Sequence, residues 1–229
     1  MKIEQLDDTP ADFPRALTGF FLDGPAGRLE TISDWPEEHD SPLGVAVLCH
    51  PHSLHGGTMH NKVVTIMERS LRELGMATLR FNFRGVGESG GEFDDGEGES
   101  DDLFRVVEWA REKLPGLPLC LGGFSFGAYV AARNAAELGP FQLITIAPPV
   151  QRFDFSEIEH PECPWLVVQG DEDEVVEAEA VHEWAESVEP ALTLLRMEDT
   201  GHFFHRRLMD LRGLIKNTVK RQLPGEAAE

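Results

Sequence analysis

The chain has 229 residues, of which 41% are hydrophobic and 27% charged, proportions that suit a globular protein with a sizeable core. A formal net charge of −21 argues against nucleic acid and anionic membrane surfaces as partners, because their phosphates would be repelled. There is no basic-then-apolar leader and no apolar run near the ~20 residues of a bilayer span. Cysteine is sparse and odd in number (Cys49, Cys120, Cys163), so the expectation is a cytoplasmic protein with reduced thiols.

The first elements are two short extended runs around "GPAG" in "FFLDGPAGRLETI", a hairpin signal. "GVAVLC" (44–49) is a valine-rich apolar run, as expected of a strand covered on both faces. Val63, Met67, Leu71 and Leu74 then recur at helical spacing, and Gly75 marks the stop. "ATLRFNF" is the next strand. Leu103, Val106, Val107, Ala110 and Leu114 predict a helix led by Ser100, Asp101 and Asp102, acids that favour its positive end.

"PLCLGG" reads as a strand and "FGAYVAARNAAEL" as a helix; "FQLITIA", "PWLVVQG" and "LTLLRM" add three strands, with a helix through "VHEWAESV". A closing helix carries Phe204, Leu208, Leu211, Ile215 and Val219 on one face and includes His205. Strands alternating with helices imply a mostly parallel sheet wound on both sides. Neither a repeat nor a linker divides the chain, and a single domain over residues 1–229 is expected.

Between strand and helix stands "GFSFG" (123–127), a G-x-S-x-G pattern. Such a turn strains the backbone of its serine, and the flanking glycines remove β-carbons that would strike the neighbouring strand and helix. Ser125 would then project above the carboxyl edge of the sheet, with a helix N-terminus to favour developing negative charge. A serine nucleophile needs a base, and the base an orienting acid. His202 lies in "DTGHFF" after the last strand; the other histidines lie in helices or in other loops. "GDEDEVV" follows the preceding strand and offers Asp173 or Asp171 as the acid.

With these motifs the chain resembles an α/β-hydrolase over nearly its whole length: "HPHSLHGGTMHNKVV", "RFNFRGVGESGG", "GGFSFG", "GDEDEVV" and "DTGHFFH". It is similar to the small, lidless bacterial serine esterases grouped near the dienelactone hydrolases. Dienelactone hydrolases proper have a cysteine nucleophile where this chain has Ser125, so their substrate does not carry over. The resemblance implies an α/β-hydrolase fold: a doubly wound sheet of about seven to eight strands, an N-terminal antiparallel hairpin and no cap domain. It also implies that Gly170, Asp173 and Val176 fill the pattern G-x-x-D-x-x-V, making Asp173 the acid. The oxyanion donors would be the backbone N–H of Phe126 and one from the loop after "VAVLC", His52 first and Ser53 or Leu54 beside it.

Three motifs point elsewhere. "GVGESG" (85–90) matches a dinucleotide-binding pattern, but the acidic, glycine-rich stretch after it neither opens a helix at once nor welcomes phosphate. His50, His52 and His55 form a possible metal-binding cluster and so a metallohydrolase alternative. "DEDE" lacks the glycine and final glutamate of a calcium loop, and reads as one catalytic acid among solvated charges. The resulting expectation is a carboxylesterase for short-chain acyl esters using Ser125, His202 and Asp173. It would take a small-molecule ester and need no cofactor. A non-catalytic binding module on the same fold is the further alternative.

Overall fold

The computed structural model describes residues 6–223. β1 (Thr18–Gly24) and β2 (Gly27–Asp34) form the expected hairpin, followed by β3 (Gly44–Cys49) and α1 (Lys62–Arg72). Next come β4 (Met76–Phe81), α2 (Glu97–Lys113), β5 (Leu119–Phe124), α3 (Phe126–Arg133) and α4 (Ala135–Leu138). The remainder is β6 (Gln142–Ile146), β7 (Trp165–Gly170), α5 (Ala178–Ser187), β8 (Thr193–Met197) and α6 (Leu208–Val219). The eight strands make one sheet in the order β1-β2-β4-β3-β5-β6-β7-β8. β2 is antiparallel to both its neighbours, and every pairing from β4 through β8 is parallel.

Strand alternation sends successive side chains to opposite faces, and each face has its own core. Val45, Val47 and Cys49 of β3 join Leu103, Val106 and Val107 of α2 and Val130 of α3. Ala46 and Leu48 face the other way, onto Val63 and Met67 of α1 and Leu211 and Ile215 of α6. No described helix is long and apolar enough to cross a membrane.

Three details depart from the sequence expectations. First, α2 starts at Glu97, ahead of Ser100. Gly96 takes a left-handed φ of 98° there, and the Glu99 carboxylate turns back to accept the Gly96 N–H at 2.8 Å and the Asp94 N–H at 3.0 Å. Second, the helix after Ser125 breaks at Asn134. Its Nδ2 donates to Ser100 Oγ and Val130 O, each at 2.8 Å, fastening the break to α2.

Third, Phe204 and His205 precede α6, in a turn where Phe204 has a φ of 52°. Phe204 is nonetheless fully buried, which is why it reads as part of the apolar helical stripe. As expected, "GVGESG" is a turn, closed by Gly85 N–H to Gly90 O at 3.0 Å and pinned to the hairpin by Gly90 N–H to Arg28 O at 2.8 Å. It opens no helix.

Candidate active site

The loops leaving β3, β5, β7 and β8 all emerge at the carboxyl edge of the parallel strands, where open α/β sheets place their sites. They carry His52, Ser125, Asp173 and His202 respectively.

Ser125 follows β5 directly and has φ 53° and ψ −119°, a left-handed backbone that a side-chain-bearing residue adopts only under constraint. Its N–H donates to Ile146 O of β6 at 2.9 Å, and its carbonyl accepts the Ala128 N–H of α3 at 2.8 Å. A β-carbon on Gly123 would collide with Gly127 O, and one on Gly127 would collide with the carbonyls of Cys49 and His50. The small residues therefore let α3 start directly behind the serine.

Asp173 has no exposed side-chain surface, and both its carboxylate oxygens are hydrogen-bonded. Oδ1 accepts the N–H groups of Val175 and Val176 at 2.9 and 2.7 Å. Oδ2 faces His202 Nδ1 at 2.8 Å and accepts Gln169 Nε2 at 3.2 Å. Burial pushes this carboxyl up, yet the His202 hydrogen bond and the two backbone donors outweigh it and hold it below its ordinary value. Asp173 stays ionised and accepts from the proton-bearing Nδ1 of His202, which leaves Nε2 as the unprotonated nitrogen of the neutral ring.

Two of the other three acids of "DEDE" are engaged. Asp171 pairs with Arg196 at 3.3 Å and lies 3.4 Å from His182, away from His202. Glu174 Oε2 accepts the backbone N–H of His202 at 3.0 Å, steadying the loop that carries the imidazole. Nothing in four consecutive acids shows which carboxylate reaches back to a loop 28 residues later; only the fold does.

A pocket of about 300 Å³ is lined by Ser125, His202, Phe126, Phe153, Phe203 and the 51–57 loop. Phe126 is buried, its ring against His52 at 5.1 Å and Phe153 at 5.5 Å. Phe124 lies under the His202 ring at 4.9 Å, and Phe155 is core, edge-on to Trp184. Among the described residues, the backbone N–H groups of Phe126, His52 and Ser53 meet no protein acceptor, whereas Leu54 N–H is spent on His52 Nδ1 at 3.3 Å. Leu54 thus drops out as an oxyanion donor.

His50 does not take part in a ligand cluster. It is fully buried, Nδ1 facing Pro51 O at 2.6 Å and Nε2 accepting the Phe83 N–H at 3.0 Å. Both ring nitrogens are thereby occupied by backbone. Burial pushes its imidazole down to about 4, against the smaller opposing effect of the Pro51 carbonyl. His50 is a neutral tie between β3 and the strand-end at Phe83, and it shapes the loop bearing His52.

Between β6 and β7, residues 147–164 contain neither helix nor strand, so nothing there covers the pocket as a cap would.

Comparisons with known proteins show the same fold and family. A family model described as serine aminopeptidase, S33, matches residues 45–158. A crystal structure of a Xanthomonas campestris protein, described as an α/β serine hydrolase without lid, is 52% identical. It superposes with a TM-score of 0.91 over 94% of this chain and 99% of its own. An α/β serine hydrolase homologue from Coxiella burnetii is 41% identical, with a TM-score of 0.87 over 91% of this chain and 100% of that one. An uncharacterized protein of Rickettsia prowazekii is 37% identical over 168 residues, 70% of this chain and 69% of that protein.

Proposed function

The chain belongs to the α/β serine hydrolases, and from that premise we propose that it is a carboxylesterase acting through Ser125, His202 and Asp173. The observation that carries this reading is the buried 2.8 Å pairing of Asp173 with His202 beside a pocket that Ser125 also lines.

In this mechanism His202 Nε2 takes the Ser125 hydroxyl proton as Oγ attacks the ester carbonyl. Asp173 stabilises the imidazolium without accepting a proton. The N–H groups of Phe126 and His52 receive the oxyanion of the tetrahedral intermediate. Collapse expels the alcohol, which leaves with the proton held on His202. Water, deprotonated by His202, then releases the acid and restores the serine. Ser125 and then water supply the two attacking electron pairs, and His202 carries each proton between nucleophile and leaving group, so the cycle closes without a cofactor.

Ester substrates fit the pocket better than free amino peptides do. An aminopeptidase must hold an ammonium group, and none of the residues lining this pocket is acidic. The metallohydrolase alternative loses its central ligand with the two backbone hydrogen bonds of His50. A purely binding role gives no reason for the strained Ser125 or for a buried acid aimed at His202.

The test is a panel of p-nitrophenyl acyl esters and aminoacyl p-nitroanilides assayed with wild type and Ser125→Ala. The reading predicts ester turnover that Ser125→Ala abolishes. Anilide turnover with inert esters would contradict it.

A further inference from the structure

The charge of the pocket runs opposite to that of the molecule. With a formal net charge of −21, the surface is dominated by carboxylates. The pocket lining nevertheless includes no aspartate or glutamate, and it includes Arg152, His52 and His55. Asp173, the nearest buried acid, is screened behind His202 and already takes its hydrogen bond. Arg28, Arg72, Arg84, Arg133 and Arg196 are each paired with a carboxylate. Arg152 has no carboxylate partner among the described residues.

Its placement is fixed by the chain. The N–H groups of Arg152 and Phe153 both donate to Pro149 O, at 3.0 and 3.2 Å, closing a turn just after β6. The Phe153 ring then stacks on Tyr129 at 4.4 Å and tilts against Phe126 at 5.5 Å. Phe126 is the residue after Ser125, so Arg152 hangs from a turn locked two ring contacts from the nucleophile. Burial, then His55 and then Arg152 press the His52 imidazole below its ordinary value, against the pull of Asp95. A cation without a carboxylate partner therefore stands at the exposed rim of the pocket, beside a His52 ring held toward its neutral form.

An unpaired guanidinium in a pocket wall offers a forked set of donors to a planar anion. We propose, resting on the serine esterase reading, that Arg152 is a specificity-determining residue that binds a carboxylate carried by the substrate. The preferred substrates are then esters bearing a second, ionised carboxyl group a few bonds from the scissile carbonyl: half-esters of short dicarboxylic acids, or esters of carboxylated alcohols. Remote surface carboxylates oppose this little, because charges more than about 8 Å away are largely screened at physiological salt. A direct contact at Arg152 lies well inside that distance, and because the side chain is exposed, added salt weakens it measurably.

The experiment compares kcat/KM within matched pairs. On the acyl side these are 4-nitrophenyl hydrogen adipate and 4-nitrophenyl hexanoate. On the alcohol side they are 3-acetoxybenzoate and phenyl acetate. Wild type, Arg152→Gln and Arg152→Lys are assayed at low and at high salt.

The proposal predicts that wild type favours the anionic member of at least one pair by about tenfold or more, the worth of a charge-assisted hydrogen bond. That ratio falls to within about twofold in R152Q, is partly kept in R152K, and shrinks in high salt. A ratio within one preparation does not depend on how much of the variant is folded. Preference for the neutral member of both pairs, or an anionic preference unchanged in R152Q, would overturn it. If no ester of either kind is hydrolysed, the esterase reading itself has failed and the proposal goes with it. Turnover of neutral esters without an anionic preference sinks the proposal alone.

Discussion

Asp173 Oδ2 and His202 Nδ1 stand 2.8 Å apart, bridging the loops after β7 and β8, with the carboxylate wholly excluded from solvent. The carboxylate's other oxygen is held by the N–H groups of Val175 and Val176, so its orientation is set by backbone on one side and imidazole on the other.

This arrangement separates Asp173 from its neighbour Asp171. Asp173→Asn would place an amide where an acceptor is needed and turn the imidazole to its unproductive tautomer. We expect kcat on a short p-nitrophenyl ester to fall by about 10³–10⁴-fold. Asp171→Asn, which touches Arg196 and His182, should stay within about threefold of wild type, since a pair with a half-exposed arginine is worth little. The opposite ranking would move the acid to Asp171.

Gly127 is predicted to tolerate no side chain. Its β-carbon would meet two carbonyl oxygens, of Cys49 and His50, and backbone cannot yield as a rotamer can. Gly127→Ala should lose about 3 kcal/mol or more of stability in urea denaturation, at or beyond the upper end of ordinary overpacking. A midpoint equal to wild type would mean that the turn is looser than described.

These two sites show what the sequence made legible and why. The G-x-S-x-G pattern is readable because backbone crowding alone dictates its glycines. The apolar strand runs are readable because strands buried on both faces lack polar positions. Chain order placed the loops of Asp173 and His202 at one sheet edge.

Less visible were features that hydrophobic periodicity does not carry. Gly96 and Glu99 start α2 early through hydrogen bonds that no periodicity shows. Phe204 shares the apolar stripe of α6 yet lies in a turn with positive φ. Glu174 looked like solvated charge, and its bond to the His202 N–H needs the fold to be seen. Arg152 had no motif around it; only the pocket gives it a role.

Stability should fall as the medium is acidified, with His50 a named cause. Unfolded, this imidazole would bind a proton near its ordinary 6.5; folded, burial pushes it down to about 4. Between those values the unfolded chain holds more protons, so stability is lost as pH drops through the window and is fully present above it. The share is on the order of 3 kcal/mol by pH 4. Burial raises the carboxyls of Asp34, Glu68 and Asp102 instead, and they run the other way. His50→Gln isolates the effect, since Gln can donate to Pro51 O and accept from Phe83 N–H without titrating. Its urea stability should vary less than that of wild type between pH 6.5 and 4; parallel curves would remove His50 from the account.

Acyl length should show an early optimum. Each buried methylene adds about 0.8 kcal/mol of binding while protein remains to cover it. The pocket encloses about 300 Å³, and no helix or strand lies between β6 and β7 to extend it. In a p-nitrophenyl ester series kcat/KM should peak at roughly two to six acyl carbons on this argument. A steady rise to twelve carbons would reveal an apolar channel beyond Phe203.

The central claim is that Ser125 is the nucleophile, and the most direct measurement is covalent labelling. Wild type and Ser125→Ala are treated with a fluorophosphonate, and the adduct is located by peptide mass spectrometry. The account predicts one adduct per chain, on Ser125, with ester hydrolysis lost in proportion to labelling, and neither adduct nor turnover in Ser125→Ala. An adduct on another residue, or ester hydrolysis that persists in Ser125→Ala, would contradict it.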